Sequence, residues 1–503
     1  MITFIEKLVQ HIKAKLVMLR DPKTRRRNII LVLAIVGLVT TLITNAATQS
    51  IGVEPENGSW SGGATSYNDS TASGGKAISF GGATVSCGKQ VANYTYKVPF
   101  GNAIWNQPIC GLPRHPQSAD YASRFFEWGH VNDGSAANDS NNGKISNNPG
   151  YPDPDRLNPL EHLFTREIYY ASKATTESRI GTVSYSSNLD GDDNKSWAPD
   201  AKIPWNPAWE ASQGGDNEMI ILDDRPGATQ GRIYFLSGYY PSYPTFPQRK
   251  IPPVGCPAIW QQNRLCTYKT TVGRDLAGNY IDYRTYEGFI KDRGVGLSYL
   301  ATLVTPEEVS AGEIRHAVGI AIPNTALGPG CTATQQGNWS QEGKTCGTAV
   351  APATKHEQAS RTTAEWLAQE FRSVYTLDKT IPEGMLFGLD ISYDQIETWL
   401  NSRTDLSQRR KDTARVFARA LKDYGMMVVD TNGNRVSIQQ AGGINPDNAA
   451  KWTSLGMGPD DKNNMLDGLV TANNLYVVNP PVATCKDGKT IRYYCDWTSI
   501  RYQ

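Results

Sequence analysis

Residues 29–43 of this 503-residue chain read IILVLAIVGLVTTLI, an uncharged apolar run with Lys23, Arg25, Arg26 and Arg27 just before it. Cations beside an apolar stretch stay on the cytoplasmic side and send the following chain outward. The run is short for a spanning helix, which takes about 20 residues, and suits the h-region of an export signal. Its leader is long for a cleaved signal. Ile5, Leu8, Val9 and Ile12 recur there among lysines at helical spacing, the pattern of a helix lying on the inner leaflet. The expectation is an uncleaved signal anchor: one pass through the cell membrane, with the C-terminal body outside. Cleavage near Ala46 would instead secrete that body. The expected partition is a basic cytoplasmic segment at 1–28, an anchor helix at 29–45, a Gly/Ser-rich segment at 46–86 and an extracellular body at 87–503.

All eight cysteines follow the apolar run: Cys87, Cys110, Cys256, Cys266, Cys331, Cys346, Cys485 and Cys495. An even number on the exported side implies disulfides. Local pairing, 87–110, 256–266, 331–346 and 485–495, is the simplest of about 105 connectivities. No CxxC occurs, which speaks against a zinc ribbon.

Residues 1–28 hold eight Lys/Arg against two Asp/Glu, leaving 42 against 47 in the rest. A weakly acidic body argues against nucleic acid as a partner, since phosphate binding needs a basic face. Apolar residues at 39% and charged residues at 20% describe a globular chain. The 46 Gly and 29 Pro follow no G-x-y period, so the chain is loop-rich and not collagenous.

Short strand-like runs fall at 168–170, 181–185, 218–222, 232–236, 317–322 and 426–429. Helical spacing appears at 362–375, 393–400 and 407–424, the last stopped by Gly425. The expected fold is mainly β, sandwich- or jelly-roll-like, with a helical insertion near 360–425.

Several groups can carry chemistry. Glu313 and His316 lie i, i+3 in GEIRHA; on a helical turn the carboxylate would orient the imidazole for acid–base work. The alternative is a structural Glu–His bond beside a core strand. Glycoside hydrolysis needs two carboxylates, and Asp223 and Asp390, with Asp224 and Asp430 behind them, are candidates at strand ends. Asp190 and Asp192, in NLDGDDNKSW, resemble part of a Ca²⁺ loop, or form a polar surface loop. Trp197, Trp205 and Trp209 cluster in one Pro-rich stretch and Tyr239 and Tyr240 in another. Such rings stack on sugars when they are exposed and pack loops when they are not. No HExxH, GxSxG, Walker or GxGxxG motif is present.

Two resemblances add to this. Residues 53–82, VEPENGSWSGGATSYNDSTASGGKAISFGG, are similar to the first strands of galactose-binding-like jelly-roll carbohydrate-binding modules. The match rests on Val53, Glu54, Glu56, Gly62, Gly63, Ser73, Gly74, Gly75 and Phe80. It implies a structural Ca²⁺ at Glu54 and Glu56, and covers about thirty residues of a module that needs well over a hundred. The stretch 190–480 resembles an uncharacterised family of secreted bacterial proteins. The markers are Gly214-Gly215-Asp216 with MIILD ending at Asp223, GEIRHA at 312–317, PEGMLFGLD ending at Asp390, and LKDYGMMVVDTNG at 421–433. The resemblance implies export and a shared fold. The chain departs from it at Glu218, where the family has histidine.

The leading expectation is an exported, membrane-anchored bacterial surface protein that binds polysaccharide or cell-surface glycans. An enzymatic form would process them with Glu313, His316 and Asp390 or Asp223. The alternative is a non-enzymatic adhesin or envelope-structural protein making protein contacts.

Overall fold

A computed structural model describes residues 64–68 and 76–80, Val91, and, apart from one- and two-residue breaks, 94–128, 165–182, 202–212, 218–237, 264–288, 295–323, 349–354, 381–432 and 436–503. The expected anchor helix and the helix expected at 362–375 lie outside these residues. No helix among the described residues is long and apolar enough to cross a membrane. The chain divides into two compact units, 1–84 and 85–503. In the first, β1 (Ala64–Asn68) and β2 (Lys76–Phe80) pair antiparallel, with Ala64 opposite Phe80.

The second unit is built around a five-stranded mixed sheet. At its centre β10 (Val318–Pro323) runs parallel to β12 (Met426–Asn432). β10 and the first four residues of β12 are apolar runs, as expected of strands covered on two faces. β11 (Leu386–Leu389) pairs antiparallel with β12, β14 (Leu475–Val477) lies at one edge, and β13 (Ser437–Ile438) lies at the other. α1 (Ser118–Trp128) brings Tyr121 and Phe125 into the core beneath this sheet.

α3 (Tyr393–Ser402) and α4 (Gln408–Asp423) join β11 to β12. Their starts are written locally. Ser392 forms a capping box with Gln395, and the Ser407 hydroxyl accepts the Arg410 N–H. Gly425 stops the second helix at φ +77°, where a Cβ would lie 2.4 Å from the Phe387 carbonyl. Ile396, Leu400, Ala414, Phe417, Ala418 and Leu421 share one buried cluster with Phe387, Val428 and Val477. These helices are thus inserted between two neighbouring antiparallel strands of the central sheet, which they help bury.

A second sheet has the order β3 (Glu167–Tyr170), β6 (Met219–Leu222), β7 (Ile233–Ser237), β9 (Lys269–Val272). β3 and β6 are parallel and the other pairs antiparallel. In a third, β4 (Thr176–Thr182) lies between β5 (Lys202–Trp205) and a parallel β8 (Arg264–Thr267). A fourth, β16 (Thr490–Ile491), β15 (Val482–Cys485) and β17 (Trp497–Arg501), ends the chain. Residues 440 and 441, just past β13, bridge to Val304 and Arg166, so one segment ties the first two sheets together. Two short helices complete the framework: α2 (Pro306–Ser310) before β10, and α5 (Pro446–Ser454) after β13.

The strand-rich expectation holds. Most of the expected runs fall on strands; of 181–185 only 181 and 182 are among the described residues, in β4. The parallel pairs β10–β12, β3–β6 and β4–β8 depart from an antiparallel sandwich or jelly roll. A buried apolar run looks the same in sequence whichever way its neighbour points.

Cys485 and Cys495 are joined across 5.7 Å between Cα atoms, the local pairing expected. Cys110 is also disulfide-bonded. Cys266 lies in β8, and Cys87, Cys256, Cys331 and Cys346 lie outside the described residues.

Candidate functional site

The GEIRHA segment lies between α2 and β10. α2 opens with a capping box. Thr305 Oγ1 accepts the Glu308 N–H, and Glu308 Oε1 accepts the Thr305 N–H at 2.5 Å. Glu308 is fully buried. Its other oxygen, Oε2, lies 2.9 Å from His316 Nε2. His316 Nδ1 lies 2.8 Å from the Ala317 carbonyl. Both ring nitrogens thus face acceptors, an arrangement satisfied only when both carry protons. Burial alone would lower the His316 pKa, but the Glu308 charge and hydrogen bond, with the Ala317 carbonyl, hold it above the usual histidine value.

This corrects the expected Glu313–His316 pair. Residues 312–317 do not form a helical turn. α2 ends at Ser310 and Gly312 redirects the chain at φ +89°. Beyond it Ile314 and His316 are buried at 1% exposure each, while Glu313 and Arg315 turn the other way, as alternation along an extended segment requires. Glu313 Oε2 accepts the Val91 N–H at 3.1 Å and an Arg315 N–H at 2.9 Å. The Arg315 guanidinium lies 3.8 Å from the centre of the Tyr94 ring.

Asp423, at the end of α4, faces the same neighbourhood. Both its oxygens accept the Tyr393 hydroxyl, at 2.7 and 2.8 Å. Burial raises its pKa above the usual carboxylate value, opposed by Tyr393 and Lys422 and reinforced by the charge of Glu313. Tyr424 is pushed up to about 12 by burial and by Glu313. Sequence reading passed over Asp423 because nothing local ties LKDYG to GEIRHA.

The other expected acids do not join this group. Asp223 is fully buried and gripped by Arg225, whose Nε and Nη2 donate at 2.9 and 2.8 Å. Burial would raise its pKa, but hydrogen bonds from Arg225 and Thr229 leave it lowered. Asp390 follows β11 on the surface, paired with Arg114 at 2.6 Å. Each of the four expected catalytic side chains is thus committed to its own internal partner.

Two of the five rings expected to stack on sugars are packed in the interior. Trp205 and Trp209 are buried, with Tyr169 stacked on Trp209 at 4.8 Å and the two indoles edge to face at 5.7 Å. They pack with Ile203, Met219 and Leu236, so neither ring offers a face to a ligand. Trp197, Tyr239 and Tyr240 lie outside the described residues, as do the Ca²⁺ candidates Glu54, Glu56, Asp190 and Asp192. Among the described residues no three His, Cys, Asp or Glu side chains group as metal ligands.

A second buried charge cluster was invisible in the sequence. Arg166 Nε lies 2.8 Å from Glu218 Oε2, Nη2 donates to Asp430, and the guanidinium stacks 3.8 Å from the centre of the Tyr299 ring. Glu218 thus serves an ion pair. No protein-family model, no curated protein and no solved structure matches this chain.

Proposed function

We propose that this chain is an exported, membrane-anchored envelope protein whose body makes contacts without catalysis. One observation carries the reading: Glu313, His316, Asp223 and Asp390 each spend their polar atoms on a different internal partner, Arg315 with Val91, Glu308, Arg225 and Arg114. A glycoside hydrolase of the usual kind needs two carboxylates facing one substrate bond. Burial of Trp205 and Trp209 removes two of the rings on which glycan stacking was expected. Export is supported by the basic flank before residues 29–43 and by the Cys485–Cys495 disulfide, a bond that persists in oxidising compartments.

The test uses the full chain in detergent micelles on a glycan array, beside a reducing-sugar release assay. No release from any glycan is expected. Release that Glu313→Gln abolishes would overturn the contact reading and restore the hydrolase. In parallel, protease added to intact cells should remove the body from a membrane-bound remnant; full resistance that ends on lysis would place the body inside and defeat the export reading.

A further inference from the structure

The second sheet has one parallel pair, β3 and β6, with Tyr170 opposite Leu222 at its carboxyl end. Parallel neighbours leave a sheet together at that end, and in open α/β sheets it is where ligands settle. Tyr170 closes β3, and Asp224 follows β6 by two residues. The turn after Tyr170 folds back onto this acid. The Ser172 N–H donates to Asp224 Oδ1 at 2.7 Å, and the Ser172 hydroxyl donates to Oδ2 at 2.5 Å. On the other side the Gly231 N–H donates to the Asp223 carbonyl at 2.6 Å, and the Tyr283 N–H donates to the Gly231 carbonyl at 2.9 Å. Tyr170 and Tyr283 pack against the same core cluster. Both are half-buried, as is Asp224. Two phenols therefore border one carboxylate at the rim of this sheet.

The charges at this rim do not balance. Arg225 is taken by Asp223, Arg284 by Asp282 and Lys451 by Glu307. Asp224 meets no cation among the described residues; its partners are the neutral groups of Ser172. The Tyr170 and Tyr283 hydroxyls make no hydrogen bond among the described residues. Burial pushes the Tyr283 phenol up to about 12, and Asp224 is the strongest charge adding to the rise. Burial raises Tyr170 as well, reinforced by Glu307, by Tyr283 and by Asp224. Both phenols keep their protons at neutral pH, and each oxygen still accepts a hydrogen bond.

We propose that Asp224, Tyr170 and Tyr283 form a seat for a primary ammonium group, the kind that ends a lysine side chain. Such a group carries three N–H donors and no acceptor. The carboxylate and the two phenol oxygens supply three acceptors, and the ammonium supplies the charge that Asp224 lacks. A quaternary ammonium has no N–H to donate, and a neutral sugar leaves the carboxylate uncompensated. The inference rests on the contact reading and deepens it, by naming the chemistry of what the body contacts.

The experiment is calorimetric titration of the full chain in detergent micelles with n-butylammonium chloride, and with tetramethylammonium chloride at equal ionic strength. Butylammonium should bind saturably and about tenfold or more tighter, because the quaternary ion makes no hydrogen bond to the charged acceptor. Asp224→Asn should weaken butylammonium about tenfold or more, and Tyr283→Phe about threefold or more. Asp390→Asn, which removes a surface acid elsewhere, should leave its affinity unchanged. Absence of saturable binding, equal binding of the two cations, or an equal loss in Asp390→Asn would overturn the proposal. If Asp224→Asn does not fold, Tyr170→Phe and Tyr283→Phe decide, since each deletes one oxygen and keeps the packed ring. A tripeptide with one lysine reads the source of the group. Tighter binding than butylammonium gives the ammonium to a protein side chain, weaker binding gives it to a free amine, and both uphold the seat. Sugar release would defeat the contact reading alone, whereas failure of butylammonium to bind would defeat this inference alone.

Discussion

His316 Nε2 and Glu308 Oε2 face each other at 2.9 Å with both side chains almost wholly removed from water. The same carboxylate closes the capping box of α2 through its other oxygen. One acid therefore fixes a helix start and the approach to the central strand β10 together. Breaking a buried pair by removing one partner costs more than the pair itself contributes, because a lone charge is left inside.

His316→Ala should lower the stability of the body by about 3–5 kcal/mol. The dependence on pH has a definite sign. The folded pKa is raised above the unfolded value of about 6.5, so the contribution is complete below about pH 6.5 and is lost as pH rises through the folded value. Urea unfolding of both proteins at pH 6 and pH 9 checks this, and the gap between them should narrow at pH 9.

Glu167 behaves in the opposite way to an ordinary surface acid. It is fully buried, and its Oε2 accepts the N–H of Asn445, the N-cap of α5, at 3.0 Å. Burial pushes its pKa up to about 7 against the lowering effect of the Asn445 and Ile444 N–H groups. The folded value lies above the unfolded one, so the stability from this carboxyl is complete below about pH 4.3 and is lost as pH rises through about 7. Glu167→Gln should flatten that decline. At pH 8 the variant should be more stable than wild type by up to about 3 kcal/mol, and equal midpoints in urea would reject the reading.

Arg166 carries Glu218 and Asp430 on one guanidinium. Arg166→Met should cost about 3–5 kcal/mol, since the buried Glu218 and the half-buried Asp430 both lose this guanidinium. Arg166→Lys should recover little, because an ammonium has no planar fork and cannot stack on Tyr299. Adding Glu218→Gln to Arg166→Met should restore part of the loss, and a double-mutant cycle by thermal unfolding measures the coupling.

The parts of this fold that were legible share one property: their signals lie within a few residues. Ser407, the apolar spacing of Ala414, Phe417, Ala418 and Leu421, and Gly425 announce α4. The Cys485–Cys495 pair needed only proximity along the chain. GEIRHA stood out as a motif, but its reading as a helical turn failed at Gly312, and local spacing then paired His316 with the wrong glutamate. The acids looked catalytic because carboxylates at strand ends are suited to catalysis; Arg225 and Arg315 stand two residues from Asp223 and Glu313, but spacing alone does not show that they fold back onto them, and Arg114 lies far from Asp390 in sequence.

The sequence by itself determined the strand character of the runs at β3, β6, β7, β10 and β12, the two helices α3 and α4 with the Gly425 stop, and that an apolar run behind a basic flank precedes a cysteine-bearing body. Caps, periodicity and short-range crosslinks are local, so local residues specify them. The tertiary structure alone decided that β10 and β12 run parallel, that α3 and α4 link the neighbouring strands β11 and β12, and that Arg166 meets Glu218 and Asp430. It also decided that Glu308, not Glu313, owns His316. Strand direction and ion-pair choice are settled by which distant segments share one buried volume, where an unpaired charge is costly enough to dictate its partner.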